Sequence, residues 1–143
     1  MKVFVDTAPF IYFFEGNLDF SDDARSMFLS FINNDIQMIT SYITDVEMKV
    51  MPKRKKQLKR IICIDNFIDE FNIYKAMLNK KIYDISLDIR ANYQSIKLID
   101  ALQLATAIEY NCDYFITNDK ELKKYNSIKV LMLGEYTKCL GGK

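Results

Sequence analysis

The sequence predicts one α/β domain built around a parallel sheet. Three observations point there. Short apolar runs alternate along the chain with longer stretches of helical periodicity. The 143 residues are half hydrophobic and 27% charged, an ordinary composition for one well-filled core. Only four glycines and two prolines are present, and no linker, repeat or low-complexity segment divides the chain. Residues 1–143 are therefore read as a single domain.

Each element follows from its residues. Lys2 to Asp6 reads as a buried strand, since Val3, Phe4 and Val5 run together and end on an acid. Thr7-Ala8-Pro9 opens a short helix through Phe14, because proline is tolerated in a first turn, and Gly16-Asn17 stops it. Ser21-Asp22-Asp23 caps a second helix to about Asn33, with Met27, Phe28, Phe31 and Ile32 on its apolar face. Ile36 to Thr40 is the second strand. Ser41 or Thr44 starts a short helix carrying Glu47. Pro52 is expected to separate it from a fourth helix, Lys53 to Glu70. A basic start there opposes the helix dipole, which argues for a functional use of those lysines. Asn72 to Lys75 is a weak third strand, and Asp84 to Tyr93 a fifth helix. Asp100 begins a strongly apolar helix to Tyr110. Asp113 to Thr117 is the fourth strand, a helical turn passes through Leu122, and Ile128 to Leu133 is the fifth strand.

The chain has no histidine. That excludes imidazole-based triads, His-ligated zinc or haem, and a His proton shuttle. Cys63, Cys112 and Cys139 are scattered and form no Cys-x-x-Cys pair, so they read as reduced thiols of a cytoplasmic protein. An acid at position 6 comes too early for a signal-peptide apolar region, and no apolar run is long enough to span a membrane.

Charge is unevenly spread. Lys49, Lys53, Arg54, Lys55, Lys56, Lys59 and Arg60 form a strip without an acid, leaving 13 basic against 19 acidic residues elsewhere. Such a strip suits a polyanion or an acidic partner; a solvated helix face is the plainer alternative.

The acids carry the chemistry. In parallel sheets, ligands bind beyond the carboxyl ends of the strands. Asp6 ends the first strand, Asp119 follows the fourth, Asp100 begins the helix leading to it, and Glu47 follows the second. Alone, each is an ordinary cap, turn or surface acid. Together they place four carboxylates at one edge, where they cannot all be ionised without a compensating cation. Mg²⁺ or Mn²⁺ suits such an oxygen-rich site, and can activate water and stabilise charge on a phosphate. Thr7, Ser41, Thr44, Thr117 and Asn118 are the polar neighbours expected to orient the carboxylates or the water. This pattern alone still allows a small phosphatase or phospho-receiver domain, although Lys120 is the only lysine directly after a strand end.

Four stretches narrow the choice: Val3-Phe4-Val5-Asp6-Thr7, Ser41-Tyr42-Ile43-Thr44-Asp45-Val46-Glu47, Asp100-Ala101-Leu102-Gln103-Leu104-Ala105-Thr106-Ala107, and Phe115-Ile116-Thr117-Asn118-Asp119. In order and spacing, from Lys2 to about Leu133, the chain resembles the PIN-domain ribonucleases, particularly the VapC-like toxins of prokaryotic toxin–antitoxin pairs. The stretches are similar to the family's first strand and acid, its Ser-x-x-Thr-x-x-Glu segment, its Asp-Ala-x-x-x-Ala-x-Ala helix and its closing Thr-x-Asp. The resemblance implies a three-layer sandwich whose central parallel sheet of four or five strands has the order 3-2-1-4-5. It implies Mg²⁺- or Mn²⁺-dependent cleavage of RNA, with Asp6, Glu47, Asp100 and Asp119 as the catalytic, metal-holding acids and Thr117 beside them. It also implies a homodimer and a small antitoxin partner. Asn118 stands where some relatives carry a further acid.

The strip after Glu47 supplies a substrate logic. Lys49, Lys53, Arg54, Lys55 and Lys56 are expected to follow an RNA backbone. Tyr12 and Tyr42 are candidates to stack a base, with packing as the alternative. Phe10, Phe13, Phe14, Phe20 and Phe28 are expected to line an apolar groove for the antitoxin. One carboxylate, Asp100 or Asp119, is expected to deprotonate the water. The competing readings are a non-catalytic RNA- or protein-binding PIN-like module and a stand-alone RNA-processing nuclease.

Overall fold

Val3, Phe4 and Val5 are fully buried, and around this strand the rest of the chain is laid. The structure is a computed structural model and describes residues 1–141. Its strands are β1 (Lys2–Val5), β2 (Gln37–Ser41), β3 (Tyr74–Ala76), β4 (Tyr114–Thr117) and β5 (Lys129–Met132). Its α-helices are α1 (Thr7–Glu15), α2 (Ser21–Asn33), α3 (Tyr42–Arg54), α4 (Leu58–Glu70), α5 (Lys80–Asn92) and α6 (Leu98–Glu109), with 3-10 helices at Lys120–Lys124 and Leu133–Leu140. The five strands form one sheet in the order β3-β2-β1-β4-β5, and every pairing is parallel. Phe4 is level with Ile39 on one side and Phe115 on the other. All carboxyl ends therefore lie along one edge.

Alternation along β1 sends its side chains to two cores. Val3 and Val5 join Phe10, Met27, Phe28, Phe31, Ile64 and Ile68, under α1, α2 and α4. Phe4 joins Ile39, Ile82, Ile89, Leu104 and Phe115, under α5 and α6. The Phe4 and Phe115 rings stack with centroids 5.1 Å apart and planes 2° from parallel. This is the expected three-layer arrangement.

Four helices turn out of the helical path without glycine. Asp35, Lys56, Asn72 and Asn111 adopt left-handed φ of 51–56° just past α2, α3, α4 and α6. In each, paired backbone bonds close a Schellman turn, as in Ile36 N–H to the Phe31 carbonyl at 2.9 Å and Asp35 N–H to that of Ile32 at 3.2 Å. Three of the four positions hold Asn or Asp, which tolerate this conformation better than most residues. The following residue, Ile36 or Ile73, is buried as the chain heads into the next strand.

Several expected boundaries move. Pro52 does not separate two helices: it lies inside α3, which ends at Arg54. So near the C-terminus its missing N–H costs one bond, and the left-handed exit at Lys56 makes the break. Lys53 and Arg54 thus occupy a last turn, where they complement the helix dipole. The supposed mismatch survives only at Lys59 and Arg60, so it no longer argues for function in the others. α5 starts at Lys80, capped by Asn79, ahead of the expected Asp84. α6 starts at Leu98, so Asp100 lies within its first turn. The second 3-10 helix was not expected. Of the five rings expected to line an apolar groove, Phe14 borders a mostly apolar cavity, and the others are largely packed away. Phe67 of α4 packs edge-on or tilted against Phe13, Phe14 and Phe28, and Phe20 stacks on Tyr12. These rings fill one another's space.

Candidate active site at the carboxyl edge of the sheet

Asp6 is the buried acid of the edge, 9% exposed. It caps α1: Oδ1 accepts from Thr7 N–H at 2.9 Å, and Oδ2 accepts from the Thr117 hydroxyl at 2.8 Å. Its own N–H bonds the Ile116 carbonyl at 2.9 Å, tying it to β4. Burial raises its carboxyl to about pKa 6; the bonds from Thr7 and Thr117 oppose this, and the charges of Asp100 and Glu47 add to it. Asp100 is also raised, by desolvation first and then by Asp119 and Glu47, against a lowering by Lys97. Asp6 thus lies within electrostatic reach of Asp100 and Glu47, and Asp100 of Glu47 and Asp119, although the four come from four segments. None has a Lys or Arg ion-pair partner among the described residues.

Short polar residues hold the edge. Thr7 donates to Glu47 Oε1 at 2.6 Å and lies 3.1 Å from the Thr44 hydroxyl. Ser41 caps α3, accepting from Ile43 and Thr44 N–H. Thr117 accepts from Asp119 N–H at 3.2 Å, and Asp119 Oδ1 accepts from Glu121 N–H at 3.0 Å. Asn118 lines the same edge, and its amide donates to the Tyr12 hydroxyl at 3.0 Å, joining the end of β4 to α1. An open crevice of about 500 Å³ runs beside Asp6, Tyr12, Thr117, Asn118, Asp119 and Lys120.

Gln103 lies within the Asp100–Ala107 stretch, and the sequence alone assigns it no role. The structure buries it completely and bonds it to Ser41, Thr44 and Asp6. The available signal was a lone amide in the apolar run of α6.

The basic strip divides. Lys49 is consumed by ion pairs with Asp45 at 2.9 Å and Asp65 at 2.6 Å. Burial works against its charge, but those hydrogen bonds outweigh it and raise its pKa. Lys53, Arg54, Lys55 and Lys56 are exposed. Tyr12 packs against Phe20, whereas Tyr42 is half exposed with the Lys75 ammonium 4.9 Å over its ring. Desolvation pushes the Cys112 and Cys139 thiols up to about 12, which keeps these two unreactive.

The donor set is oxygen only, negative and without a direct ion-pair partner, which fits a hard divalent cation. In their present rotamers, no three Asp, Glu or Cys side chains among the described residues gather closely enough to enclose an ion. Asp6, Glu47, Asp100 and Asp119 are the residues that would hold one.

The fold and edge define an α/β protein with an acidic crevice at the carboxyl ends of a 3-2-1-4-5 parallel sheet. The chain belongs to the PIN domain family, whose model matches residues 3–128. No curated protein matches it. Among solved structures it is similar to a chain in the crystal structure of VapBC2 from Rickettsia felis bound to a DNA fragment from their promoter. Identity there is 17% and TM-score 0.76, over 92% of this chain and 98% of that one. It is also similar to a chain of a toxin-antitoxin complex from Klebsiella pneumoniae, at 23% identity and TM-score 0.71, over 92% and 97% of the two chains.

Proposed function

We propose that the chain is a Mg²⁺- or Mn²⁺-dependent endoribonuclease, the toxin of a toxin–antitoxin pair acting in the cytoplasm. The observation that carries this is the edge of four acids without an ion-pair partner, one of them buried and raised to about pKa 6. Membership of the PIN family, whose nucleases generally use divalent ions, supports it. No helix among the described residues is long and apolar enough to cross a membrane.

A bound divalent ion would supply a water nucleophile at neutral pH and offset charge on the scissile phosphate. Thr7 and Thr117 hold Glu47 and Asp6 in fixed orientations through their hydroxyls. Asp100, half buried and raised in pKa, is suited to take the proton from the attacking water. Lys53, Arg54, Lys55 and Lys56 hold the RNA backbone by charge, and Tyr42 offers a face to an unpaired base.

Two partners complete the reading. The similarity to toxin–antitoxin complexes supports an antitoxin. Its candidate seat is a mostly apolar cavity of about 200 Å³, where Ile11, Phe14, Met48 and Ile64 lie together with the charged Glu15 and Arg60. A second copy of the chain has candidate contacts in Tyr83, Leu87, Leu98 and Ile99, which α5 and α6 leave exposed.

The test is incubation of purified, partner-free protein with structured RNA in Mn²⁺ and in EDTA. Cleavage in Mn²⁺ alone supports the proposal. One observation favours a second reading, a non-catalytic RNA-binding module: among the described residues no three acids gather closely enough to enclose an ion. Binding of the RNA without cleavage in either buffer would establish that reading instead.

A further inference from the structure

We propose that Gln103 is a positioning residue that sets the direction of the hydrogen bonds running from Ser41 through Thr44 and Thr7 to Glu47, with a branch to Asp6, and so fixes these two acids for a divalent cation. The inference rests on the nuclease reading above. It begins from an amide that is completely buried on α6, among apolar neighbours, with every polar atom bonded.

The orientation of that amide is forced. An ionised carboxylate only accepts, so the edge facing Asp6 Oδ1, at 3.4 Å, has to be Nε2. Its other hydrogen goes to Thr44 Oγ1 at 2.8 Å. Oε1 then faces the Ser41 hydroxyl, which donates to it while accepting the two N–H groups it caps. Because Thr44 accepts from Gln103, its own hydrogen is free for Thr7, 3.1 Å away. Thr7 in turn gives its hydrogen to Glu47 at 2.6 Å. The chain runs one way, from Ser41 through Gln103, Thr44 and Thr7 to Glu47, with a branch to Asp6. One side chain thus links the end of β2, the starts of α1 and α3, and the middle of α6. Without the amide, Thr44 has no donor to satisfy it, and the threonine pair is free to turn its hydrogens away from Glu47.

Partners that orient metal-binding carboxylates typically contribute about 10–100-fold in affinity or activity. A residue that merely fills the core would change stability alone. The experiment compares wild type, Gln103→Met, which keeps the length and loses every bond, and Ser41→Ala, which frees the far side of the amide. Each is titrated with Mn²⁺ by calorimetry, melted in EDTA, and assayed for kcat and KM on RNA. The expected result for Gln103→Met is a loss of about tenfold or more in Mn²⁺ affinity and in kcat, with KM within about twofold. Ser41→Ala is expected to lose Mn²⁺ affinity in the same direction by about threefold or more. A lower melting point with unchanged Mn²⁺ affinity and kcat overturns the proposal while the nuclease reading stands. If Gln103→Met fails to fold, unchanged Mn²⁺ affinity in Ser41→Ala overturns it equally. A wild type that neither binds Mn²⁺ nor cuts RNA removes the nuclease reading and this assignment with it.

Discussion

Replacing Asp6 by Asn should stabilise the metal-free protein at neutral pH while removing the buried acid of the site. The folded carboxyl titrates at about 6, chiefly through burial, against an ordinary value of 3.8. At about 1.4 kcal/mol per unit, the ionised group costs the fold about 3 kcal/mol. Below pH 3.8 both states hold the proton and the penalty is absent. As pH rises from about 4 to 6, the unfolded chain ionises first and stability falls; above 6 the whole penalty is present. An asparagine still caps α1, its amide oxygen accepting from Thr7 N–H. It loses the acceptor for the Thr117 hydroxyl, a cost of about 1 kcal/mol. The net expectation is a gain of about 2 kcal/mol at pH 7.5 and a loss of about 1 kcal/mol at about pH 3.5. Urea unfolding of both proteins in EDTA at the two pH values measures this. A variant no more stable than wild type at pH 7.5 refutes the burial argument.

The strip should separate by partner. In an inactive Asp6→Asn background, joint Lys53→Ser, Lys55→Ser and Lys56→Ser should lower the slope of log affinity against log salt for single-stranded RNA by about 2. Lys49→Met should leave that slope unchanged and cost about 1 kcal/mol in urea unfolding, because its charge already serves Asp45 and Asp65. Lys56→Gly alone should raise stability by up to about 1 kcal/mol, since its φ of 56° favours glycine; a fall refutes the left-handed exit. Glu135 is lowered to about 2 by Lys123 first, then Lys138 and the Met132 N–H. Its contribution is present above its ordinary value of 4.5 and is lost as pH falls towards 2. Glu135→Gln should therefore cost up to about 1 kcal/mol at pH 7 and nothing near pH 2, read by denaturant melts.

What the sequence disclosed depended on the kind of signal. Buried strands announce themselves as apolar runs, so Val3–Val5 and Phe115–Ile116 were legible, and the acids after them followed from parallel topology. Asp6, Glu47, Asp100 and Asp119 could be named because a strand end or a helix start gives each a place along one edge. Boundaries set by backbone exits were not legible. Pro52 looked like a stop, while the real stop was Lys56 in a conformation that no lysine advertises. Lys49 looked like its neighbours in the strip, and only folding brings Asp65 of the next helix to it. Asn118 shared a motif with Thr117 but turns to Tyr12. Gln103 was hidden for the opposite reason: its role comes from three partners far away in sequence, and one polar residue in an apolar run shows none of them.

With no histidine in the chain, the proposed nuclease relies on oxygen ligands and a metal for what imidazole does elsewhere, and that is directly measurable. The decisive comparison is RNA cleavage by wild type, Asp6→Asn and Asp100→Asn, each stripped with EDTA and then titrated with Mn²⁺ and with Mg²⁺. Wild type should be silent after stripping and recover with either ion, while both variants bind RNA as wild type does and cut it at least about a hundredfold more slowly. Cleavage that persists in EDTA, or variants that cut at the wild-type rate, would contradict a carboxylate-held metal as the source of the activity.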